Sequence, residues 1–249
     1  MSAGEKRVAV VTGAARGLGS AIADRFVADG YRVVYADRDA EGNRNAAAAA
    51  DPTGESALAV ELDIRELASV ETCLGAALDR WGRLDVWVNN AALTVARTFF
   101  EIETGEWDEL IDTNLRGTYF GCRVAGLHMR DQGGGRIVNL TSIAGQRGAS
   151  TNGVHYAASK AGIVAITGFA ASELAPFGVT VNAIAPAAVE GPSVAAVAPE
   201  KVAAMIGTIP VGRLGRPNEI AALVAFLASE EAGFITGATY DINGGMLMR

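Results

Sequence analysis

Tyr156 and Lys160 stand four residues apart in Tyr156-Ala-Ala-Ser-Lys160, which puts a phenol and an ammonium on consecutive turns of one helix face. Such a pair can move a proton. A free phenol titrates near 10 and is a poor base at neutral pH, so neighbouring cations must favour its ionised form; a change of about 3 units corresponds to about 4 kcal/mol, plausible in a partly dry site. Nearer the amino terminus, Thr12-Gly13-Ala14-Ala15-Arg16-Gly17-Leu18-Gly19 places three glycines where a strand turns into a helix. Exposed N–H groups and the helix dipole favour a phosphate there, so a nucleotide is the natural ligand. The spacing is Gly-x-x-x-Gly-x-Gly rather than Gly-x-Gly-x-x-Gly, and three glycines at a turn, taken alone, also suit tight packing. Asp37 lies 18 residues beyond Gly19 at the end of the next strand-like run, where an acid accepts hydrogen bonds from a ribose. The pair of features is far more specific than either part.

These residues need a frame that gathers them. Short apolar, β-branched runs at 8–12, 32–36, 58–62, 85–89, 136–140, 179–185 and 239–242 predict seven strands. Between them, Leu18, Ile22 and Phe26 fall on one helix face, as do Val70, Leu74 and Leu78, and the segments 106–130, 154–175 and 218–227 are long enough for further helices. Strand–helix alternation throughout implies an α/β, doubly wound, Rossmann-type seven-stranded parallel sheet with helices on both faces, because each parallel crossover needs a long return path. Ligands of such a sheet sit beyond the carboxyl ends of its strands. Ser142 after the fifth strand, Asn89-Asn90-Ala91-Ala92 after the fourth and the Tyr156/Lys160 helix all belong at that end. Four prolines, Pro186, Pro192, Pro199 and Pro210, crowd the stretch after the sixth strand, which predicts a loop or lid. The run 46–50 is all alanine and is expected as a helix surface.

Composition narrows the partners. The 249 residues are 50% hydrophobic, 20% charged and 6% aromatic, as suits one soluble domain. With 28 acidic and 21 basic residues the net charge is -7 and the basic residues are scattered, so no nucleic-acid partner is expected. The longest uncharged runs are too short or too interrupted for a membrane span, and the apolar stretch 8–11 is too short for a signal sequence, so no membrane association and a cytoplasmic location are expected. Cys73 and Cys122 lie in apolar helical stretches without metal-ligand spacing and are expected as buried small hydrophobes; no metal is anticipated.

The chain as a whole resembles the short-chain dehydrogenase/reductase family, in its roughly 250-residue branch, essentially end to end. Thr12 to Gly19 is similar to the family's coenzyme motif, Asn89 to Ala92 to its Asn-Asn-Ala-Gly motif with the last Gly replaced, and Asn114, Ser142, Tyr156 and Lys160 to its catalytic tetrad in order and context. The resemblance implies a single dinucleotide-binding and catalytic domain over residues 1–249. It implies that Tyr156 is the acid/base, that Lys160 also binds the nicotinamide ribose, that Ser142 orients the substrate oxygen and that Asn114 holds a proton-relaying water. Contacts to the coenzyme are implied for Gly13, Arg16, Gly17, Leu18, Gly19, Asp37, Asp63, Ile64, Asn90, Ala91, Tyr156, Lys160, Pro186 and Val189, with Asp63 at the adenine. Two departures stand out. Where the family reads Pro-Gly-x-x-x-Thr, this chain reads Pro186-Ala187-Ala188-Val189-Glu190-Gly191, with Ser193 as a substitute for the missing threonine. Thirteen residues separate Ser142 from Tyr156, one more than members often have, which suggests an insertion in a substrate-facing loop at 146–155.

The activity so implied is hydride transfer between a nicotinamide cofactor and a secondary alcohol or ketone, with Ser142, Gln146, His155 and Tyr156 on the substrate. Two alternatives accompany it: a 3-oxoacyl-(acyl carrier protein) reductase, and a non-catalytic nucleotide-binding sensor or scaffold. Asp37 favours NAD, whereas Arg16 and Arg38 would attract the 2′-phosphate of NADP; the carboxylate is expected to win. A homotetramer is expected from the resemblance and from apolar residues on more than one face of 106–130 and 154–175. Residues 239–242 and 246–248 would add a second interface. Substrate identity is expected to reside in 94–100, 146–155 and 186–210.

Overall fold

A computed structural model describes residues 6–147 and 152–248. Seven strands, β1 (Val8–Thr12), β2 (Arg32–Asp37), β3 (Ala57–Glu61), β4 (Val86–Asn89), β5 (Gly135–Leu140), β6 (Val179–Pro186) and β7 (Thr239–Ile242), form one parallel sheet in the order β3-β2-β1-β4-β5-β6-β7. Each boundary falls within one residue of the expectation. The strands are legible because both faces are covered, which makes them almost continuously apolar. Alternate residues serve opposite faces. Ala9, Val11, Val33, Tyr35, Val88 and Val138 pack with α1 (Gly17–Ala28) and α10 (Pro217–Ala228) through Ile22, Phe26, Val224 and Leu227. Val8, Val10, Val34, Trp87 and Ile137 pack with α3 (Leu67–Trp81), α5 (Gly117–Gln132) and α7 (Gly153–Leu174) through Val70, Cys73, Ala125, Met129 and Ala171. Cys73 and Cys122 are free and buried, and burial pushes both thiols up to about 12.

The chain leaves β1 toward β2 and β3, then crosses to β4 on the other side of β1, so the strand order reverses between β1 and β4. Crossovers diverge there and open a crevice at the strands' carboxyl ends. The alanine run lies within α2 (Ala40–Ala50), as expected.

Two elements differ from expectation. The expected helix over 106–130 is α4 (Thr104–Ile111) continued into α5 through one wide, π-type turn at Asp112–Arg116. Such turns admit an extra residue and cluster at functional sites, and this one carries Asn114. The stretch after β6 is not an open loop: it contains α8 (Pro192–Ala195) and α9 (Pro199–Gly207), each begun by a proline. Proline suits a first helical turn because its missing N–H would have no partner there. Short helix α6 (Ala144–Arg147) follows β5. No helix among the described residues is long and apolar enough to cross a membrane.

Beneath the crevice, a buried polar chain joins the central strands to α7. Trp87 Nε1 donates to Asn89 Oδ1 (2.8 Å), Asn89 Nδ2 to Asn139 Oδ1 (2.8 Å) and Asn139 Nδ2 to Thr167 Oγ1 (2.9 Å). Gly121 of α5 makes room for it, since a Cβ there would fall 2.1 Å from Asn89 Oδ1. Gly75 in the interior of α3 meets nothing within 4 Å. The same substitution therefore has opposite signs at the two helical glycines. Gly75→Ala is expected to stabilise by about 0.5–1 kcal/mol through helix propensity. Gly121→Ala is expected to destabilise by about 1–3 kcal/mol through overpacking and disruption of the asparagine chain. Paired denaturant titrations read both, and equal stability of the two variants would contradict the packing described.

Candidate active site

The glycine turn is built for close approach. Gly13 and Gly17 have φ of +70° and +62°, in the left-handed region that favours glycine. A Cβ on Gly13 would lie 2.9 Å from Ala91 Cα, and one on Gly19 would lie 2.0 Å from the Gly13 carbonyl oxygen. The amino terminus of α1 has neither a side-chain cap nor an acidic residue in its first turn. Its N–H groups and dipole are therefore available to an anion. Arg16 is exposed at the N-cap, while Leu18 packs its side chain into the core and can offer a ligand only its backbone. Asp37, half-buried at the end of β2, accepts the Ala15 N–H at Oδ2 (3.0 Å) and the Asp39 N–H at Oδ1 (3.0 Å). Its carboxylate is thus held rigidly beside the turn. A glycine cradle, an uncapped helix and an adjacent fixed carboxylate fit a dinucleotide.

Thr12 and Asn90 bolt this cradle to β4. The Asn90 and Ala91 N–H groups both donate to Thr12 Oγ1 (3.0 Å each), whose own hydroxyl donates to the Val88 carbonyl (3.2 Å). Asn90 Nδ2 donates to the carbonyls of Thr12 (2.9 Å) and Gly13 (3.2 Å). The Asn90 amide N–H groups and the Ala91 N–H hold the loop that would carry the cofactor. Asp63 is likewise engaged. The Arg65 guanidinium forks onto its carboxylate, with Nη2 2.5 Å from Oδ2, and holds the carboxyl below its ordinary range. Ile64 is buried, and a Cβ on Gly117 would come 2.7 Å from its Cγ1. Asp63, expected at the adenine, is thus held by Arg65, and Ile64 packs its side chain against α5.

The proton-handling groups converge at the end of β5. Lys160 is buried in α7 and its Nζ donates to the Leu140 carbonyl (2.8 Å), while Thr141 Oγ1 donates to the Lys160 carbonyl (2.6 Å). These two bonds staple α7 to β5 and set Tyr156 beside Ser142. The phenol lies within the influence of the Ser142 and Thr94 hydroxyls, which favour its ionised form. Ser142 Oγ also accepts the Ala144 N–H (3.1 Å). Burial pushes the Tyr156 phenol up, against the lowering effect of Ser142 and Thr94, and pulls Lys160 down to about 8. The ammonium is held on Leu140 with Nζ 5.6 Å from the Tyr156 ring centroid.

Asn114 joins the group through its neighbours. Its Oδ1 accepts the Leu93 N–H (2.7 Å), and its Nδ2 donates to the Leu93 carbonyl (2.9 Å) and to Ser159 Oγ (3.3 Å). Ser159 Oγ in turn donates to the Tyr156 carbonyl (2.8 Å). The Asn114 side chain is a clip on residue 93, so a relaying water would fall to its backbone carbonyl, which already accepts the Thr118 hydroxyl (2.7 Å).

After β6, the Pro186 carbonyl accepts the Ile143 N–H (3.0 Å), and Val189 pairs with Gly215. Pro192 then reaches the glycine turn, its Cδ lying 3.4 Å from the place of a Cβ on Gly17. Ser193 is exposed on α8. The expected substrate loop at 146–155 includes 148–151, which lie outside the described residues. Gln146 lies in α6 and donates to Asp241 of β7 (2.9 Å). His155 does not face the cleft: its ring is fully buried against Trp107 and lies 3.3 Å from Glu106. Thr94 falls at the start of the expected substrate segment 94–100, whereas Ser159 and Glu106 were not foreseen as part of the site. Ser159 alone carried a signal, standing one helical turn from Tyr156.

A family model described as enoyl-(acyl carrier protein) reductase matches residues 13–247. The chain is 39% identical to the 3-oxoacyl-(acyl-carrier-protein) reductase FabG of Vibrio harveyi over 98% of both chains. It is 38% identical to the short-chain reductase protein NovJ of Streptomyces niveus, over 97% of this chain and 94% of the other. It is also 37% identical to a sorbitol dehydrogenase of Cereibacter sphaeroides, over 97% and 98%. With its doubly wound sheet, glycine turn and Ser142, Tyr156 and Lys160 gathered at the end of β5, the chain belongs to the short-chain dehydrogenase/reductase family of oxidoreductases.

Proposed function

We propose that the protein interconverts a diffusible secondary alcohol and its ketone, with Tyr156 as acid/base and NAD(H) as the preferred cofactor. The observation that carries this reading is the half-buried phenol of Tyr156, under the influence of Ser142 and Thr94 and one helical turn from the buried ammonium of Lys160. A nicotinamide dinucleotide lying along the glycine turn supplies or accepts the hydride. In reduction, Ser142 orients the carbonyl oxygen and the Tyr156 Oη–H donates its proton to it as the carbon gains hydride. In oxidation, the phenolate takes the hydroxyl proton back. The raised pKa keeps Tyr156 protonated for the reductive direction, and Lys160, still mostly charged at neutral pH, stabilises the phenolate left behind.

The relatives that reduce 3-oxoacyl-(acyl-carrier-protein) favour a second reading, in which the ketone arrives on a carrier protein. Such a partner needs a basic landing patch beside the cleft. Arg97, on the same segment as Thr94, is instead paired with Glu106 (2.9 Å), and Arg213 with Glu219 (2.7 Å). Together with the net charge of -7, these pairs support a diffusible substrate. A non-catalytic sensor would not need the buried Lys160, whose desolvation is costly. Free, buried thiols suit a reducing compartment, which supports a cytoplasmic location.

Asp37 supports NAD. A 2′-phosphate about 4 Å from this carboxylate would be opposed by about 4 kcal/mol per charge pair at an effective dielectric near 20. Arg38, the nearby cation, acts on Asp63. Exposed apolar residues support assembly: Trp107, Tyr119 and Leu127 on α4 and α5 with Phe169 on α7 form one set, and Phe226, Phe234 and Met248 another. The fit is to a homotetramer with two kinds of interface.

Tyr156→Phe is expected to lower turnover at least about 10²-fold on a panel of ketones while leaving dinucleotide affinity unchanged; retention of more than about a tenth of the activity would end the acid/base assignment. Asp37→Ala is expected to narrow or reverse a preference for NAD, read as kcat/KM with both dinucleotides. A native enzyme preferring NADP tenfold, about 1.4 kcal/mol, would show that the arginines outweigh the acid. Light scattering at micromolar concentration is expected to return a four-chain mass, and a single-chain mass would refute the assembly.

A further inference from the structure

His155 precedes Tyr156 and is fully buried, yet neither ring nitrogen has a hydrogen-bond partner of good geometry among the described residues. The same holds for Glu106 Oε1, a buried carboxylate oxygen. The two face each other, with His155 Nε2 3.3 Å from Glu106 Oε1, and the Trp107 ring lies stacked beside the imidazole at a 23° interplanar angle. The other Glu106 oxygen, Oε2, takes the Arg97 guanidinium at 2.9 Å. Gly153, with φ +78°, closes the back of this space: a Cβ there would lie 2.8 Å from His155 Cε1 and 3.4 Å from the Arg97 carbonyl oxygen. His155, Glu106 and Arg97 thus belong to three separate stretches of chain that meet behind the catalytic tyrosine.

Their meeting point controls one short segment. Residue 93 is clipped at both its N–H and its carbonyl by Asn114. The Thr94 hydroxyl influences the Tyr156 phenol, and Arg97 ends the segment on Glu106. The front anchor is neutral and satisfied, while the back anchor is a buried carboxylate that needs a partner on its inner oxygen. Only His155 stands there among the described residues.

We propose that His155 and Glu106 are positioning residues that pin residues 94–97 against α7 and thereby set the affinity for the ketone or alcohol without touching it. The kinetic part of this inference rests on the reading of Tyr156 as acid/base. The pin predicts a split between binding and chemistry, because Ser142, Tyr156 and Lys160 are held by other bonds.

The test uses the full chain with His155→Phe, which keeps a ring beside Trp107 but removes both nitrogens, and Glu106→Gln, which keeps shape but removes charge. Both are expected to raise the KM for ketone about tenfold, with kcat within about 3-fold of native and unchanged dinucleotide affinity. In hydrogen exchange, the amides of 94–97 are expected to exchange faster in both variants while those of β5 and α7 do not. Exchange is measured without turnover, so a folded native chain inactive on every ketone would sink the proposed function and still leave the pin decided. Unaltered exchange and KM in Glu106→Gln would overturn the inference, as would a loss of dinucleotide affinity in step with KM. If His155→Phe does not fold, Glu106→Gln and Arg97→Met decide by the same readouts.

Discussion

The two bonds that join Lys160 to the end of β5 govern the geometry of the site. Its ammonium donates to Leu140 and its carbonyl accepts from Thr141, so α7 cannot slide along or rotate about its axis without breaking one of them. Both are buried, where an unmade bond to a charged or polar group costs more than the bond returns when made. Tyr156 inherits its place from that staple, one turn back on the same face. Ser142 inherits its place from β5 itself, two residues beyond Leu140. A phenol and a hydroxyl from separate elements thus meet because a third residue locks those elements together.

The same burial that makes the staple strong sets the chemistry. Withdrawing Lys160 from water lowers its pKa, and withdrawing Tyr156 raises the phenol, so each group is pushed toward neutrality. For the lysine the sign is destabilising: below about pH 8 the folded chain carries a buried charge that the unfolded chain would solvate, and this penalty is relieved as pH rises from there toward the ordinary lysine value. An unstable but well-placed charge is a reasonable arrangement for a group whose task begins when a ligand arrives. The bolt between Thr12 and Asn90 works in parallel on the other side of the crevice, fixing the glycine turn against β4.

Much of this was legible in the residues. The strands showed because sheet residues buried on two faces leave apolar runs, and the glycine turn and Tyr156/Lys160 pair showed because backbone approach and helix spacing constrain residue type. The rest depended on tertiary geometry. The π-type turn at Asn114 adds one residue per turn and leaves no compositional mark. His155 suggested a substrate contact because it ends the 146–155 loop that was expected to face the substrate. Its direction is decided by Gly153 and by Glu106, which lies far away in sequence. Asp63 was expected at the adenine from the resemblance alone, and its pairing with Arg65, two residues on, is a matter of side-chain geometry. The prolines after β6 predicted a loop or lid, whereas in the structure Pro192 and Pro199 begin helices, since proline suits a first helical turn as well as a loop.

The central proposal is that burial raises the Tyr156 phenol above its ordinary value and that Lys160, together with the positive charge an oxidised dinucleotide would supply, would bring it down to where it can act as a base. An ultraviolet phenolate titration tests this most directly, taken as the difference between native protein and Tyr156→Phe, with and without the oxidised dinucleotide. The expected result is a Tyr156 midpoint above the ordinary phenol value in the free protein and a lower midpoint in the complex. A free-protein midpoint already near neutrality, or one that does not move on binding, would contradict it.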